Sequence, residues 1–376
     1  MKADPKLKQL AASPFADMTI NQARGDMIDL ARINPDLPPS RIALSAAARF
    51  VRTTGSIRYP DSVSDIRLCK AVSAFYKREY DVALDPECEI VVVPGTRFGI
   101  MAVAAVTAGR DDLIVVPNPG YPDYCASARA LDATTAPLPL NQTTFQPDWF
   151  AVDSLRPALL FLNYPSNPCG VCAQPATLDA AVAFATSHGC WLAHDLAYGS
   201  FCYDGRASSS IFQVPGASSV AVELWSASKT FSLAGWRIGV VVGNAEVVRR
   251  VSNFVELHVA AVWPGFQLGL AAALRNGVDD IRERASIYET RRDAFVATIR
   301  AADGRVAPAD GGLSVWCQAP CGVDSRRMAV EFGLAAAPGE MFGSRGAGWL
   351  RLALTVPDQQ VPEAARRLAR AFSCGP

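Results

Sequence analysis

The sequence predicts an α/β fold: a mostly parallel sheet flanked by helices, with a smaller α+β domain attached. Short apolar runs rich in β-branched residues alternate with alanine-rich stretches of helical spacing through the first two thirds of the chain. We expect strands at 89–93, 113–117, 159–163, 190–195, 220–226 and 238–242. Helical stretches such as 98–108 and 178–187 fall between them, which is typical of parallel crossovers.

The chain changes character near residue 270. Residues 269–302 have the spacing of a long helical region that carries many Arg and Glu residues. The remaining predicted elements are two strands and a final helix, at 312–318, 350–355 and 361–372. We therefore predict a large domain over residues 45–270 and a small domain formed by both chain ends, residues 1–44 with 271–376.

Composition argues against several classes of partner. The chain has 376 residues, half of them hydrophobic, and its 36 Lys and Arg residues equal its 36 Asp and Glu residues. A balanced charge gives no reason to expect a nucleic acid or an anionic membrane as partner. The N-terminus has no apolar signal region, and the most apolar stretch, 259–274, is too short to span a bilayer. We expect a cytoplasmic protein.

Ten cysteines occur in the chain, and without a signal segment they predict reduced thiols. Cys169-Gly-Val-Cys172 has the spacing of a redox motif or of half a zinc site. Cys317 and Cys321 would be its partner pair, but their spacing differs. We predict incidental thiols and no metal site.

The segment Ser226–Gly239 indicates covalent chemistry. Lys229 lies among small residues, and Arg237 follows eight positions later. Small neighbours leave room for a flat ligand, the lysine amine can form a Schiff base, and the arginine fork can bind a phosphate. Pyridoxal phosphate carries both an aldehyde and a phosphate and fits this pair. The alternative is an ordinary lysine near a strand end.

Special residues also follow the other predicted strands, where ligands of open α/β sheets bind. The turn with Gly95, Thr96 and Arg97 enters a helix and offers backbone N–H groups to a phosphate. The next strand is followed by a Pro- and Gly-containing loop that presents Tyr121 and Tyr124. Their rings either stack on a flat ligand or pack as ordinary aromatics.

Two further strands end in candidate ligand-binding residues. Asn167 precedes a proline, so its amide is left to donate to an oxygen, unless the segment is a plain Asn-Pro turn. Asp195 ends a buried strand and needs a cation, such as a protonated pyridine nitrogen. Tyr198 is placed to donate to a ring oxygen. His194 should point to the opposite face of the strand and be structural.

Arg351 lies within an apolar strand near the C-terminus. A buried arginine needs an anionic partner. Either a substrate carboxylate or a structural Asp or Glu would meet that need.

The order of these motifs resembles the class I/II aminotransferases, the fold type I pyridoxal-phosphate enzymes. A glycine turn, Asn-Pro-x-Gly, Asp-x-x-Tyr, Ser-x-x-Lys and a late Arg follow one another from about residue 28 to the C-terminus. The likeness is greatest to the LL-diaminopimelate aminotransferase group. It rests on Tyr59-Pro60, Leu160–Pro168, His194–Tyr198, Val214–Ala217 and Ala234–Gly239.

The resemblance implies an α-amino-acid aminotransferase that passes the amino group to a 2-keto acid by a ping-pong mechanism. Lys229 would bind pyridoxal phosphate as a Schiff base and act as general acid and base. Asp195 would pair with the pyridine nitrogen and promote catalysis. Tyr198 and Asn167 would donate to the phenolic oxygen, and Tyr121 would stack on the ring.

The resemblance also implies how the two ends of the ligands are held. The phosphate would lie against Gly95, Thr96, Arg97, Ser226 and Arg237. Tyr59 would reach the phosphate from the neighbouring subunit, which requires a homodimer. Arg351 would bind the α-carboxylate of the substrate.

The chain departs from the family pattern near the substrate. Ile33 stands where the family usually has glycine, and Cys169 stands where it usually has threonine. No glycine follows Tyr59-Pro60, and the loop 260–266 lacks polar residues expected for a distal amino-acid end. We hypothesise that the cofactor chemistry is kept and that the substrate, bound at Ile33, Asn167 and Arg351, is not diaminopimelate. The alternative is a fold type I enzyme that eliminates, replaces or cyclises at the β or γ carbon.

Overall fold

The computed structural model describes residues 26–374. Its strands are β1 (Ile28–Leu30), β2 (Ile90–Val93), β3 (Leu113–Asn118), β4 (Thr134–Pro139), β5 (Leu159–Asn163), β6 (Trp191–Asp195), β7 (Ala221–Ser226), β8 (Gly239–Gly243), β9 (Ser314–Gln318), β10 (Leu334–Pro338) and β11 (Trp349–Ala353). Its α-helices are α1 (Arg41–Val51), α2 (Ile66–Tyr80), α3 (Thr96–Thr107), α4 (Pro122–Ala130), α5 (Pro175–His188), α6 (Ala217–Val220), α7 (Ala227–Thr230), α8 (Ala245–Val259), α9 (Pro264–Asn276), α10 (Val278–Ala301), α11 (Ser325–Phe332) and α12 (Val361–Ser373).

The larger sheet has seven strands in the order β2-β8-β7-β6-β5-β3-β4. All neighbouring pairs are parallel except those of β8, which runs antiparallel to both β2 and β7. Consecutive strands of apolar residues are buried on both faces, as a sheet covered by helices requires. The predicted α/β class is confirmed, and the six strands predicted for this sheet are present within one residue of their predicted starts.

The smaller sheet has four strands in the order β1-β10-β11-β9. β1 comes from the N-terminal part of the chain and pairs in parallel with β10, so both ends of the described chain meet in one layer. A separate core joins the two ends, with Ile28 and Leu30 packed together with Phe295, Leu352 and Leu368. The proposed domain limits at residues 45 and 270 stay a prediction, and residues 1–25 lie outside the described part.

The long helical region predicted at 269–302 consists of two helices, α9 and α10, separated at Gly277. Gly277 lies close to the preceding helical turn. A Cβ at this position would stand 2.7 Å from the Ala273 carbonyl oxygen. No helix within residues 26–374 combines the length and apolar character that crossing a lipid bilayer requires.

Candidate active site

The parallel strands bring the sequence-predicted residues to one edge of the large sheet. Parallel strands share their carboxyl ends, so the turns after β2, β3, β5, β6 and β7 meet there. Arg237 reaches the same edge by a different route. It precedes β8, and because β8 is antiparallel to its neighbours, its amino end lies beside their carboxyl ends.

A cavity of about 750 Å³ opens at this edge. Most of the residues predicted to bind cofactor or substrate line it, namely Ile33, Thr96, Arg97, Tyr121, Asn167, Asp195, Tyr198, Ser226, Lys229, Arg237 and Arg351. The N-terminal segment contributes Arg32 and Asn34 as well. Residues more than 300 positions apart in the sequence, such as Ile33 and Arg351, therefore line the same cavity. This proximity could not be predicted from composition or from the spacing of motifs.

Lys229 lies in the short helix α7 and points its amine into the cavity. Its Nζ donates a 2.7 Å hydrogen bond to the Ile33 carbonyl oxygen. Burial, together with the nearby guanidinium groups of Arg351, Arg237 and Arg97, lowers the pKa of this lysine to about 7. A substantial share of the amine is therefore neutral near neutral pH, which is the nucleophilic form.

Asp195 is the buried carboxylate at the end of β6. Its Oδ2 accepts a 2.7 Å hydrogen bond from the Tyr124 hydroxyl, and its Oδ1 accepts one of 3.1 Å from the Ala197 backbone N–H. Burial raises the pKa of Asp195, while the Tyr124 hydrogen bond opposes that rise. Within residues 26–374, no lysine or arginine forms an ion pair with this carboxylate. A cationic ligand placed against it would lower its pKa again.

Asn163 positions two of these groups, a role that the sequence analysis did not assign. Its Nδ2 donates 2.8 Å to the Asp195 carbonyl oxygen, and its Oδ1 accepts 2.7 Å from the Asn167 backbone N–H. A signal was present, because a polar residue ends the otherwise apolar strand β5, as Asp195 ends β6. The sequence likewise identified Tyr124 only as an aromatic residue of a loop. Its hydrogen bond to Asp195 is a tertiary contact, which the sequence did not predict.

The start of α3 has free backbone donors. Gly95 is the N-cap residue of this helix and has a φ of 81°. Because glycine has no side chain to accept a capping hydrogen bond, the first N–H groups of the helix, at Thr96 and Arg97, face outward. The positive φ of Gly95 favours glycine, and a Cβ there would lie 2.7 Å from Arg237 Nη2 and push the flexible end of that arginine aside. Ser226 is buried at the end of β7 on the same side.

Arg351 connects the two sheets. From β11 of the small sheet, its Nη1 donates 2.8 Å to Asn167 Oδ1, and its Nη2 donates 2.6 Å to the Ala31 carbonyl oxygen. The guanidinium lies over the Phe342 ring at 4.8 Å from the centroid. Burial lowers the pKa of Arg351 to about 10. A buried guanidinium on a cavity wall favours an anionic ligand.

The remaining aromatic residues frame the cavity. The Tyr121 hydroxyl accepts a 2.9 Å hydrogen bond from Arg97 Nη2, and Arg97 also pairs with Asp123. The Tyr121 ring meets the Tyr124 ring edge-on, with centroids 5.8 Å apart. Burial raises the pKa of the Tyr198 phenol, so that hydroxyl stays protonated and available as a donor.

Several sequence-predicted features lie away from this cavity. Tyr59 is 91% exposed and does not line the cavity of its own chain. Cys169 is buried in a separate apolar cluster, and Trp263 packs edge-on against Phe50 and Phe266. His194 is fully buried, and its Nδ1 lies 2.7 Å from Glu223 Oε2 on the far side of the strand from Asp195. Of the departures from the family pattern, Ile33 alone lines the cavity within the described part of the chain.

Within residues 26–374, no three or more His, Cys, Asp or Glu side chains lie close enough together to bind a metal ion. All ten thiols are free. Cys317 is buried in the small sheet with its Sγ 3.7 Å from the Leu350 carbonyl oxygen, while Cys321 is exposed.

Comparison with known proteins identifies the family. A model of the aminotransferase class I and II family matches residues 25–368. The chain belongs to the class I and II aminotransferases. An L-glutamine--4-(methylsulfanyl)-2-oxobutanoate aminotransferase of Bacillus subtilis is 32% identical over 372 residues, which are 96% of this chain and 94% of the relative. An LL-diaminopimelate aminotransferase of Dehalococcoides mccartyi is 32% identical over 382 residues, 98% of each chain.

Solved structures agree with the fold of this aminotransferase. Substrate-bound BacF from Bacillus subtilis superposes with a TM-score of 0.93 at 29% identity, covering 98% of each chain. The relatives carry several different substrate names, so family membership does not choose among substrates. Membership does imply pyridoxal phosphate as cofactor.

The cavity of the aminotransferase fits that cofactor on three observations. A lysine amine of lowered pKa faces inward, and a buried carboxylate without a described ion-pair partner lies at the end of β6. The uncapped N–H groups at the start of α3 lie beside Arg237, and Gly95 places no side chain between them. Together they match an aldehyde, a ring cation and a phosphate.

Proposed function

We propose that the chain is a pyridoxal-phosphate-dependent α-amino-acid aminotransferase that uses a 2-keto acid as acceptor and works by a ping-pong mechanism. The observation that carries the proposal is the placement of Lys229, Asp195 and Arg351 on one cavity. When bound, pyridoxal phosphate supplies an aldehyde that condenses with amines and a ring that accepts electrons from the substrate Cα–H bond.

Asp195 and Lys229 divide the proton chemistry. The Asp195 carboxylate, held by the Tyr124 hydroxyl and the Ala197 N–H, keeps a proton on the pyridine nitrogen. Lys229 Nζ would be the amine that holds the cofactor's aldehyde end, and it would serve as general base and general acid for the substrate Cα proton. Its lowered pKa suits both directions of that transfer near neutral pH.

Separate groups of residues are proposed to bind the α-carboxylate of the substrate and the phosphate of the cofactor. Arg351 binds the α-carboxylate through its guanidinium, with Asn167 fixing the orientation of the fork. The N–H groups of Thr96 and Arg97, with Ser226 and Arg237, bind the phosphate. Tyr198 and Asn167 donate to the phenolic oxygen, and Tyr121 packs on the ring.

The substrate is proposed to be an amino acid without a distal ammonium group, and not diaminopimelate. Among the described residues that line the cavity, Asp195 is the single carboxylate, and it is committed to the cofactor. A distal ammonium group would therefore meet no second carboxylate among the described residues of the cavity wall. Ile33 adds an apolar, branched side chain at the same wall.

The proposed active unit is a homodimer in which Tyr59 reaches the partner's phosphate. Its exposed side chain, away from its own cavity, supports this arrangement. Hybrid dimers test it. A Tyr59→Ala chain paired with a Lys229→Ala chain has one intact site if Tyr59 acts across the interface. Recovery of activity in the mixture is expected, and two inactive parents that stay inactive when mixed would contradict the arrangement.

The function itself is tested on purified, cofactor-loaded protein with a panel of amino acids and 2-oxoglutarate. We expect glutamate and a keto acid in equal amounts, parallel lines in double-reciprocal plots, and turnover of roughly 1–1000 per second on the best donor. Turnover of LL-diaminopimelate at such rates would overturn the substrate proposal. Keto acid released without an acceptor would instead indicate elimination.

Lys229→Ala provides the control for the chemistry. This variant should lose the visible absorbance of the bound cofactor and the activity together. Retention of both would show that another residue holds the aldehyde. Asp195→Ala should lose far more rate than cofactor affinity, because the ring then lacks its counter-charge.

A further inference from the structure

Two of the ten thiols face each other between two loops that also carry cavity residues. The Cys172 and Cys202 Sγ atoms lie 3.1 Å apart, although the residues are 30 positions apart in the sequence. Cys172 is buried and Cys202 is partly exposed. A disulfide needs an S–S distance of about 2.05 Å, so a shift of roughly 1 Å would join them.

The surrounding backbone holds this pair in place. The Cys172 backbone N–H donates 2.7 Å to Asp310 Oδ1, and its thiol lies 3.1 Å from the Asp310 carbonyl oxygen. Cys202 forms an isolated antiparallel bridge with Gly311, and the Tyr203 N–H donates 3.0 Å to the Asp310 carbonyl oxygen. Both cysteines are therefore anchored to one segment of the small domain.

Each cysteine lies in a loop that carries a cavity residue. Cys172 follows Asn167 in the loop after β5, and Cys202 follows Tyr198 in the loop after β6. The loop of Asn167 is itself tied to the same small-domain segment, because the Gly311 N–H donates 3.1 Å to the Gly170 carbonyl oxygen. A bond between the sulfurs would join the two loops directly.

We propose that Cys172 and Cys202 are a modification site, a dithiol that low-molecular-weight disulfides oxidise reversibly to a cross-link between the Asn167 and Tyr198 loops. Cys202, the more exposed thiol, meets the reagent first. The contact with Cys202, together with burial, raises the pKa of Cys172, which keeps that thiol protonated until its neighbour has reacted.

The reaction balances with the reagent alone. The Cys202 sulfur attacks the reagent disulfide, the reagent S–S bond breaks, and one reagent thiol leaves. The Cys172 sulfur then attacks the Cys202 sulfur of the mixed disulfide, and the second reagent thiol leaves. The two protein thiols lose two electrons and two protons, and the reagent disulfide gains them as two thiols.

Oxidation lowers the activity because it moves residues that touch the ligands. Asn167 Oδ1 holds the Arg351 guanidinium at 2.8 Å, so a shift of its loop changes the carboxylate-binding geometry. A displacement of about 1 Å at a reacting pair reduces rates by up to roughly 100-fold. We expect a loss of about tenfold, restored by reduction.

Mass spectrometry of the cofactor-loaded protein after treatment with oxidised glutathione tests the cross-link independently of any activity. We expect an intact mass lower by two hydrogens, without a retained glutathione, and a peptide pair joining Cys172 to Cys202 that separates on reduction. A stable glutathione adduct on Cys202, or separate alkylation of both thiols after treatment, would overturn the proposal.

Activity measurements on variants test the consequence. Cys202→Ser should keep its activity during the same treatment, whereas Cys88→Ser, which removes an exposed thiol elsewhere, should lose activity like the parent protein. A cross-link that forms with unchanged activity would refute the coupling between this site and the cavity. Loss of activity in both variants would assign the effect to another cysteine.

Discussion

The amine of Lys229 donates its 2.7 Å hydrogen bond to the backbone carbonyl of Ile33, a residue 196 positions earlier in the chain. Lys229 lies in α7, directly after β7 of the larger sheet, whereas Ile33 follows β1 of the smaller sheet. The contact therefore places an N-terminal residue directly against the reactive amine. It also places the isoleucine side chain, which stands where the family usually has glycine, on the wall of the cavity.

Ile33→Ala is predicted to broaden substrate use. Removing the branched side chain enlarges the pocket, so kcat/KM for bulky amino acids should rise relative to that for small ones by about tenfold. Ile33 also packs against the hydrophobic core beside the smaller sheet, so a loss of about 1–2 kcal/mol in stability is expected. Kinetics on a series of amino acids of increasing size measures the first effect, and denaturant unfolding measures the second.

Leu37→Ala is the matched control for that prediction. Leu37 packs against the same core but does not line the cavity. It should lose comparable stability while the preference between large and small substrates stays unchanged. A preference that changes equally in both variants would mean that loosened packing, and not pocket size, is responsible.

The pH dependence of Lys229 labelling is a second prediction. Because its pKa is lowered to about 7, the amine of the cofactor-depleted protein gains reactivity as pH rises through about 7 and levels off above it. An ordinary lysine gains reactivity up to about pH 10.4. Trace acetylation with acetic anhydride, read on the peptide that contains Lys229, gives the midpoint directly.

The sign of the arginine effect can be tested in the same assay. Arg351 disfavours the protonated lysine, so Arg351→Met should raise the midpoint for Lys229 labelling. Arg305→Met, whose arginine stacks on Trp349 away from the cavity, should leave it unchanged. A parent midpoint near 10 would contradict the burial argument.

Gly95→Ala is predicted to weaken cofactor binding by at least about tenfold. The new Cβ would stand 2.7 Å from Arg237 Nη2 and push the guanidinium out of position, and the φ of 81° would add strain. Titration of the cofactor-depleted protein with pyridoxal phosphate gives the dissociation constant. Gly205→Ala separates the two effects, because Gly205 has a φ of 71° but no atom within 4 Å of a Cβ. It should cost about 1 kcal/mol of stability at unchanged affinity.

Tyr124→Phe is predicted to move the acid side of the pH–rate profile to higher pH. The Tyr124 hydroxyl favours the ionised Asp195, so its loss raises the pKa of that carboxyl, and the ring counter-charge is lost at a higher pH. A hydrogen bond to a charged group contributes about 1.5–3 kcal/mol, so a shift of roughly one pH unit is expected. Profiles of kcat measure it.

Tyr164→Phe is the control for Tyr124→Phe. Tyr164 is also buried, and its hydroxyl donates 2.6 Å to the Phe145 carbonyl oxygen, away from Asp195. It should lose stability without moving the acid limb. An unshifted profile in Tyr124→Phe would show that this hydroxyl does not tune the carboxylate.

The errors in the predicted fold have local physical causes. β4 was not predicted because it contains Pro137 and Pro139, which argue against a central strand, and it lies at the edge of the sheet, where proline is tolerated. β10 was not predicted because its alanine-rich sequence carries no strand pattern. β1 is three residues long and exists only because β10 lies beside it.

The sequence by itself determined the α/β fold class and the candidate residues at strand ends. Both follow from local features, because apolar runs, turns and polar residues at strand ends are visible in short segments of the chain. The tertiary structure decided which of those residues meet. Arg351 reaches Asn167, and Lys229 reaches Ile33, only after the two sheets pack together. Tyr124 reaches Asp195 within the larger sheet, and Arg351 reaches Ala31 within the smaller one, only after strands distant in the chain have paired. Such contacts depend on distances between segments far apart in the chain, which local preferences do not encode.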